Sequence, residues 1–405
     1  MKSVLQVFSL DIVAKVLLGL VGIILIRFMP KMEYALYTVA ISVVSVITQT
    51  LASSFNRIYI VGSEQFSLGN ASSSFLGLQL LIMLLLTLLS LPLVGVVGSA
   101  YWFVMLLSLA TCLSEFSKTF FQKQLKFVRF SLVELARVLA FGGAVIVLIY
   151  VVGHELNAWH VLLVQSLAML VTFLTLSSKQ LRLRDLVAVN AATQLAAKVL
   201  RGPYRYLFGY FFVLAFLTQV DVFMLRALAD DSALATYGSA FRYYSLLSLA
   251  LGAVHVVWLP VVQNVQSLAE LTTILVYHKR MVLLFAPVVL VGAWAAQWII
   301  PMIDMGRYPE AVLVFRILAI SAIVSFAFSP YVNLVMRFKD FKFLFILIIL
   351  ALLVDVGLNF ALVPVLGPVG TAIAAFVAFG IVNGATFVRA KRYKNMFRSP
   401  APSNT

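Results

Sequence analysis

Charge is what this 405-residue chain has least of. Asp, Glu, Lys and Arg together make up 11% of it, against 63% hydrophobic residues. A soluble domain of this length needs far more polar side chains to clothe its surface. Cysteine is almost absent: the single Cys112 excludes an internal disulfide and reads as a small buried apolar side chain. Four scattered histidines and that one cysteine make no zinc-type motif. No phosphate-cradling glycine loop of the P-loop kind occurs, so the chain is not expected to hydrolyse nucleotides by itself. Long extracytoplasmic loops, which membrane glycosyltransferases and ligases use to carry their carboxylates and arginines, are missing too. These absences point to translocation without bond-making: a transporter rather than an enzyme, with no cofactor.

What the chain does have is apolar length. Its mean hydropathy is +1.05, and runs of about 20 apolar residues, each able to cross a ~30 Å hydrocarbon core, recur from end to end. Twelve spans are placed near 8–28, 35–60, 75–97, 101–121, 130–152, 159–176, 206–226, 237–262, 281–303, 311–336, 343–363 and 371–388. The first is read as a span and not a cleavable signal, because "RFMPKMEY" after it offers no small-residue cleavage site. The fold class expected is an all-α polytopic membrane protein of about twelve transmembrane helices. The long connection "SSKQLRLRDLVAVNAATQLAAKVLRGPYR" follows the sixth span. It divides the chain into an N-terminal six-helix bundle (1–176), a basic cytoplasmic linker (177–205), a C-terminal six-helix bundle (206–388) and a basic cytoplasmic tail (389–405).

The basic residues set the orientation. With both termini cytoplasmic, about 22 Lys and Arg fall on the inside segments and about 4 outside, the skew of the positive-inside rule. That skew accounts for most of the net charge of +15, so nucleic acid is not an expected partner. The tail "RAKRYKNMFRSPAPSNT" reads as a contact for anionic lipid.

Internal repetition supports the two halves. "ALYTVAISVVS" (35–45) and "ATYGSAFRYYS" (235–245) share A-x-Y-x-x-A followed by Ser, pairing Tyr37 with Tyr237. "QLKFVRF" (124–130) follows the fourth span as "MRFKDFKF" (336–343) follows the tenth. Because six is even, the repeats are parallel, related by an axis along the membrane normal, and rocking of the halves is the expected mechanism of alternating access.

The same alignment isolates one residue. Arg242 matches Ser42 in the first half, so the shared scaffold does not require it. A cation within a span either faces a partner or a hydrated cavity, or snorkels to the headgroups. Lys15, Arg137 and Arg316 are further cations within spans, and Asp11, Glu115, Glu134, Asp221 and Asp355 are the anions. Asp11 with Lys15 and Glu134 with Arg137 are spaced for local ion pairs. Asp355 has no cation near it in sequence, and Asn359 lies one turn on. Such a carboxylate is protonated, bonded across helices, or titrates in ion coupling. Asp221 and Arg226 are five apart and meet poorly on one face. His255 reads as an interior hydrogen-bonded histidine or a proton relay. Pro92, Pro260, Pro287 and Pro330 predict bent helices.

Two passages carry a family resemblance. "TQVDVFMLRALADDSALATYGSAFRYYSLLSLALGAVHVVWLPVVQ" (218–263) resembles the start of the C-terminal half of Wzx-type polysaccharide flippases, with Asp, an apolar stretch, Tyr-x-x-Ala, a helix and Pro. "LNFALVPVLGPVGTAIAAFVA" (358–378) is similar to that family's Asn-apolar-Pro-x-x-Gly-x-x-Gly-x-Ala passage. The superfamily also includes multidrug and toxin extruders and peptidoglycan-precursor flippases. The resemblance implies flipping of undecaprenyl-diphosphate-linked oligosaccharide from the cytoplasmic to the periplasmic leaflet of a bacterial inner membrane, for O-antigen, lipopolysaccharide or related surface polysaccharide. A polysaccharide polymerase and a chain-length regulator are then candidate partners, beside membrane lipids. Arg242, Arg137, Lys15 and Arg316 become candidates for holding the diphosphate, and Tyr243 and Tyr244 for the sugars. Asp355, Asp221 and Asp11 become candidates for coupling to H⁺ or Na⁺. The alternative is a cation-coupled extruder of drugs or metabolites from the same superfamily.

Overall fold

In hydrocarbon every backbone N–H and C=O must find its partner inside the protein, and a chain this apolar meets that demand with helices. A computed structural model describes residues 2–62, 71–94, 99–124, 126–152, 156–177, 189–202, 204–263 and 265–396. Among them no strand occurs. The helices are α1 (Lys2–Phe28), α2 (Lys31–Thr48), α3 (Ser54–Gly62), α4 (Ala71–Leu89), α5 (Ala100–Lys123), α6 (Phe127–Val152) and α7 (Ala158–Leu176). They continue as α8 (Val189–Arg201), α9 (Tyr204–Leu217), α10 (Val220–Leu228), α11 (Asp231–Gln263), α12 (Leu268–Asp304), α13 (Ala311–Arg337) and α14 (Phe341–Met396). Within the described residues each predicted span is mostly helical, with breaks at Ser90 and at Thr218–Gln219. Among the described residues, eight helices are by length and composition alone long and apolar enough to cross a membrane. The chain is an all-helical, multi-pass membrane protein.

Local chemistry explains the departures from plain helix. A π-helical turn, Gln49–Ser53, joins α2 to α3. α14 breaks at Gly367, whose φ of 53° and ψ of −132° suit a residue without Cβ, between Pro364 and Pro368. The spans predicted at 343–363 and 371–388 are its two arms. They lie close: a Cβ on Gly370 would meet the Leu362 carbonyl oxygen at 2.7 Å. α12 opens with a capping box, in which Ser267 Oγ accepts from the Glu270 N–H and Glu270 Oε2 accepts from the Gln266 N–H. Threonine and serine hydroxyls within spans turn back onto their own helix, as Thr48 does to Val44 O and Thr386 to Val382 O.

Pro330 sits inside α13 and has no N–H to offer the carbonyl of Phe326, four residues back. His278 of α12 takes that place. Its Nε2 lies 2.9 Å from Phe326 O, and since a carbonyl only accepts, the ring donates. The buried imidazole also stacks on the Phe326 ring, which stacks on Phe285.

Two compact units emerge, Met1–Gln219 and Val220–Thr405. In the first, α1 lies along α6, and α5 packs on α7 and α2. A core of Leu51, Phe55, Phe75, Phe116 and Phe121 also takes in Leu195 and Val199 of α8, so the described part of the predicted linker is an amphipathic helix seated on α4 and α9. In the second, α13 packs on α11, α12 and α14, and α10 packs on α14. The span predicted at 206–226 is broken at Thr218–Gln219, and the division between the units falls at that break.

Candidate functional site

In the second unit three helices bring two carboxyl groups onto one amide. α10 supplies Asp221 and α14 supplies Asp355 and Asn359, which share a face because they are four residues apart. Asn359 Nδ2 donates to Asp355 Oδ1 at 2.9 Å and to Asp221 Oδ1 at 3.4 Å, as well as to the Asp355 carbonyl at 3.0 Å. From α11 the Tyr237 hydroxyl donates to Asp221 Oδ2 at 2.5 Å. Asp355 and Asn359 have no solvent exposure, Tyr237 is 1% exposed and Asp221 6%. Asp355 Oδ2 and Asn359 Oδ1 are buried without a hydrogen-bond partner. Among the described residues no lysine or arginine forms an ion pair with either carboxylate. Arg226 pairs instead with Asp231.

The chemistry of this arrangement is that of a site short of one positive charge. Two buried carboxylates sharing a neutral amide are expensive unless a proton or a cation joins them. Carboxylate and amide oxygens are the ligands that hard cations favour. Among the described residues, no group of three or more His, Cys, Asp or Glu side chains is placed to hold a metal ion. The oxygens gathered here belong to two carboxylates and one amide, and the Tyr237 phenol donates to one of them.

The cations named from sequence are spread over both units. In the first, Arg137 pairs with Glu134, and Lys118 bridges Glu134 and Glu115 at 3.1 Å each. The Glu134–Arg137 spacing was legible, but Lys118 arrives from α5 and was not paired with Glu134 in the sequence reading. Arg137 also borders a small hollow with Leu18, Val138, Phe141, Gln165 and Met169. Lys15 lies half-buried on α1, the helix packed along α6. In the second unit, Arg316 Nε donates to Ala293 O at 2.9 Å and its Nη2 to Gln297 Oε1 at 3.2 Å, tying α13 to α12. Arg242 is half-buried on α11. Tyr243 is buried edge-on to Phe315, and Tyr244 packs on Phe241. Asp11 and His255 lie in α1 and α11, with side chains outside the described residues. Tyr237 was not singled out as a site residue, although the repeat that pairs it with Tyr37 marked the position.

No protein-family model and no curated protein sequence matches the chain. Solved structures do. The chain is similar to the lipid II flippase MurJ in an inward closed conformation, with a TM-score of 0.72 and 15% identity over 96% of this chain and 87% of that one. It is similar to an inward-facing multidrug-resistance MATE family transporter of the MOP superfamily, with a TM-score of 0.69 and 15% identity over 96% and 95%. A Vibrio cholerae MATE transporter matches with a TM-score of 0.61 and 15% identity over 98% and 95%. The chain has the fold of these proteins. They are flippases and transporters, and no enzyme is among them.

Proposed function

We propose that this protein flips an undecaprenyl-diphosphate-linked oligosaccharide from the cytoplasmic to the periplasmic leaflet of a bacterial inner membrane, driven by H⁺ or Na⁺ at Asp221, Asp355 and Asn359. The observation that carries the reading is the buried carboxylate pair joined by Asn359, to which no cationic side chain among the described residues is paired. A site of that kind gains a charge on one side of the membrane and releases it on the other, and the membrane potential adds about 2.3 kcal/mol per charge per 100 mV. The lipid-linked substrate is supported by Arg and Lys within apolar spans, which suit a diphosphate better than a cationic drug, by the Wzx-like passages at 218–263 and 358–378, and by the likeness in fold to a lipid II flippase. O-antigen or a related surface polysaccharide is the product this substrate serves.

The test uses cells lacking the gene with polymer synthesis otherwise intact. Lipid-linked sugars trapped in the cytoplasmic leaflet, out of reach of a periplasmic glycan-cleaving probe, with drug sensitivity unchanged, is the expected result. The second reading is a cation-coupled extruder, favoured by the likeness in fold to MATE transporters. Precursor still reaching the periplasm, together with raised sensitivity to small organic cations, would establish that reading instead.

A further inference from the structure

Among the described residues, each carboxylate oxygen of Asp221 has one donor: Asn359 Nδ2 on Oδ1 at 3.4 Å and the Tyr237 hydroxyl on Oδ2 at 2.5 Å. The second contact is short, charge-assisted and shielded from solvent, the kind of hydrogen bond that holds hardest. It also competes with a cation for that oxygen. A proton on Oδ2 turns the acceptor into a donor, and a sodium ion there repels the hydroxyl hydrogen. In both cases Tyr237 has to turn its hydrogen away from Asp221. We propose that the Tyr237 hydroxyl competes with the coupling cation for Asp221, so that filling the site loosens α11 from α10. The inference rests on the ion-coupled reading above.

The consequence spreads along α11 through packed rings. Tyr237 stacks on Phe241 with centroids 6.1 Å apart and planes 20° from parallel, and Phe241 meets Tyr244 at 5.5 Å. These three share one face of α11 at i, i+4 and i+7, and Arg242 follows Phe241 directly. A buried hydroxyl deprived of its acceptor is costly, which drives the shift of this face. The titratable groups facing Asp221 are Asp355 from α14, and Tyr237 and Tyr244 from α11. Among the described residues no Lys or Arg pairs with it.

The first unit holds an internal control. Tyr37, the repeat partner of Tyr237, sits 3.4 Å from Gln165 Oε1. That acceptor is a neutral amide, which gains no proton in the working pH range. The same tyrosine therefore donates to a neutral amide in one half and to a carboxylate in the other.

The experiment follows thermal unfolding of the full chain in nanodiscs. One arm titrates Na⁺ against choline at constant ionic strength, and the other titrates pH. Wild type is expected to gain stability saturably with one of the two cations, and Asp221→Asn and Asp355→Asn to lose that response. Tyr237→Phe is expected to keep it with the half-saturating cation concentration lowered about tenfold, the weight of one charge-assisted hydrogen bond. Tyr37→Phe leaves it unchanged. A more acidic fluorotyrosine at position 237, which keeps ring and hydroxyl, shifts half-saturation the opposite way and serves where Tyr237→Phe folds poorly. Half-saturation unmoved or raised in Tyr237→Phe, with Asp221→Asn still abolishing the response, overturns the competition while the ion site stands. A wild type that responds to neither cation, or a response that survives both Asp→Asn changes, overturns the ion site and the competition together.

Discussion

Arg242 shows what one residue can demand of a membrane helix. An arginine near the centre of a span costs roughly 2.5–3.5 kcal/mol on insertion scales, and its repeat counterpart Ser42 shows that the scaffold folds without it. The residue lies half-buried on α11, turned away from the face that carries Tyr237, Phe241 and Tyr244. As a diphosphate contact it predicts that Arg242→Ala abolishes lipid-linked sugar translocation at normal expression, and that Arg242→Lys, which keeps charge but loses the bidentate fork, retains part of it. The leaflet assay reads both, and full activity in Arg242→Ala would remove this residue from the transport path. Asp355 was legible from sequence as an isolated carboxylate, and Asn359 as its neighbour one turn on. Tyr237 as a donor to Asp221 was not, because its A-x-Y-x-x-A setting reads equally well as packing.

At the scale of elements, bends and clasps carry the predictions. His278 supplies the hydrogen bond that Pro330 cannot, so its worth depends on the proline. His278→Leu leaves the Phe326 carbonyl buried and unpaired and is expected to cost about 1–3 kcal/mol. In the Pro330→Ala background the restored N–H reaches Phe326 O, and the cost of His278→Leu should largely vanish in a double-mutant cycle read by thermal unfolding. Additive losses would show that the histidine does not serve the bend. A second device closes the C-terminal end of α13. Asp340, in the turn between α13 and α14, accepts from Arg389 Nε at 2.8 Å and from the Tyr393 hydroxyl at 2.6 Å. Burial works to raise the Asp340 carboxyl, but the hydrogen bonds from Tyr393 and Arg389 and the Arg389 charge outweigh it and hold it below the ordinary carboxylate value. The folded state therefore binds this proton less readily than the unfolded chain. The contribution is complete above the unfolded value of about 4 and is lost as pH falls through the folded one. Asp340→Asn should lower stability by about 1 kcal/mol or less at neutral pH, as a partly screened pair. Unfolding curves of the two proteins should converge on acidification, and a constant gap at all pH values would assign the loss to packing.

At the scale of the molecule, the two units share a tyrosine scaffold but differ in how they balance charge. Among the described residues, Glu115 and Glu134 of the first unit are matched by Lys118 and Arg137, whereas Asp221 and Asp355 of the second are matched by no lysine or arginine. The basic skew of the loops predicts that a reporter active only in the cytoplasm works when fused after residue 396 and fails when inserted at Arg307, in the connection between α12 and α13. The reverse result would invert the topology. The all-helical, multi-pass character and the placing of charges within apolar segments follow from composition and spacing. Lipid leaves a chain this apolar little choice but helices of bilayer length, and every polar residue inside one is conspicuous. Pairing across helices is another matter. That Asp221 meets Asn359, 138 positions away, that Lys118 joins Glu134, and that His278 finds Phe326 are decided by which faces pack together. Hydrophobic pattern cannot specify those faces where nearly every side of a helix is apolar. The tertiary structure alone turned a list of isolated membrane charges into one neutralised network and one carboxylate pair that, among the described residues, no lysine or arginine matches.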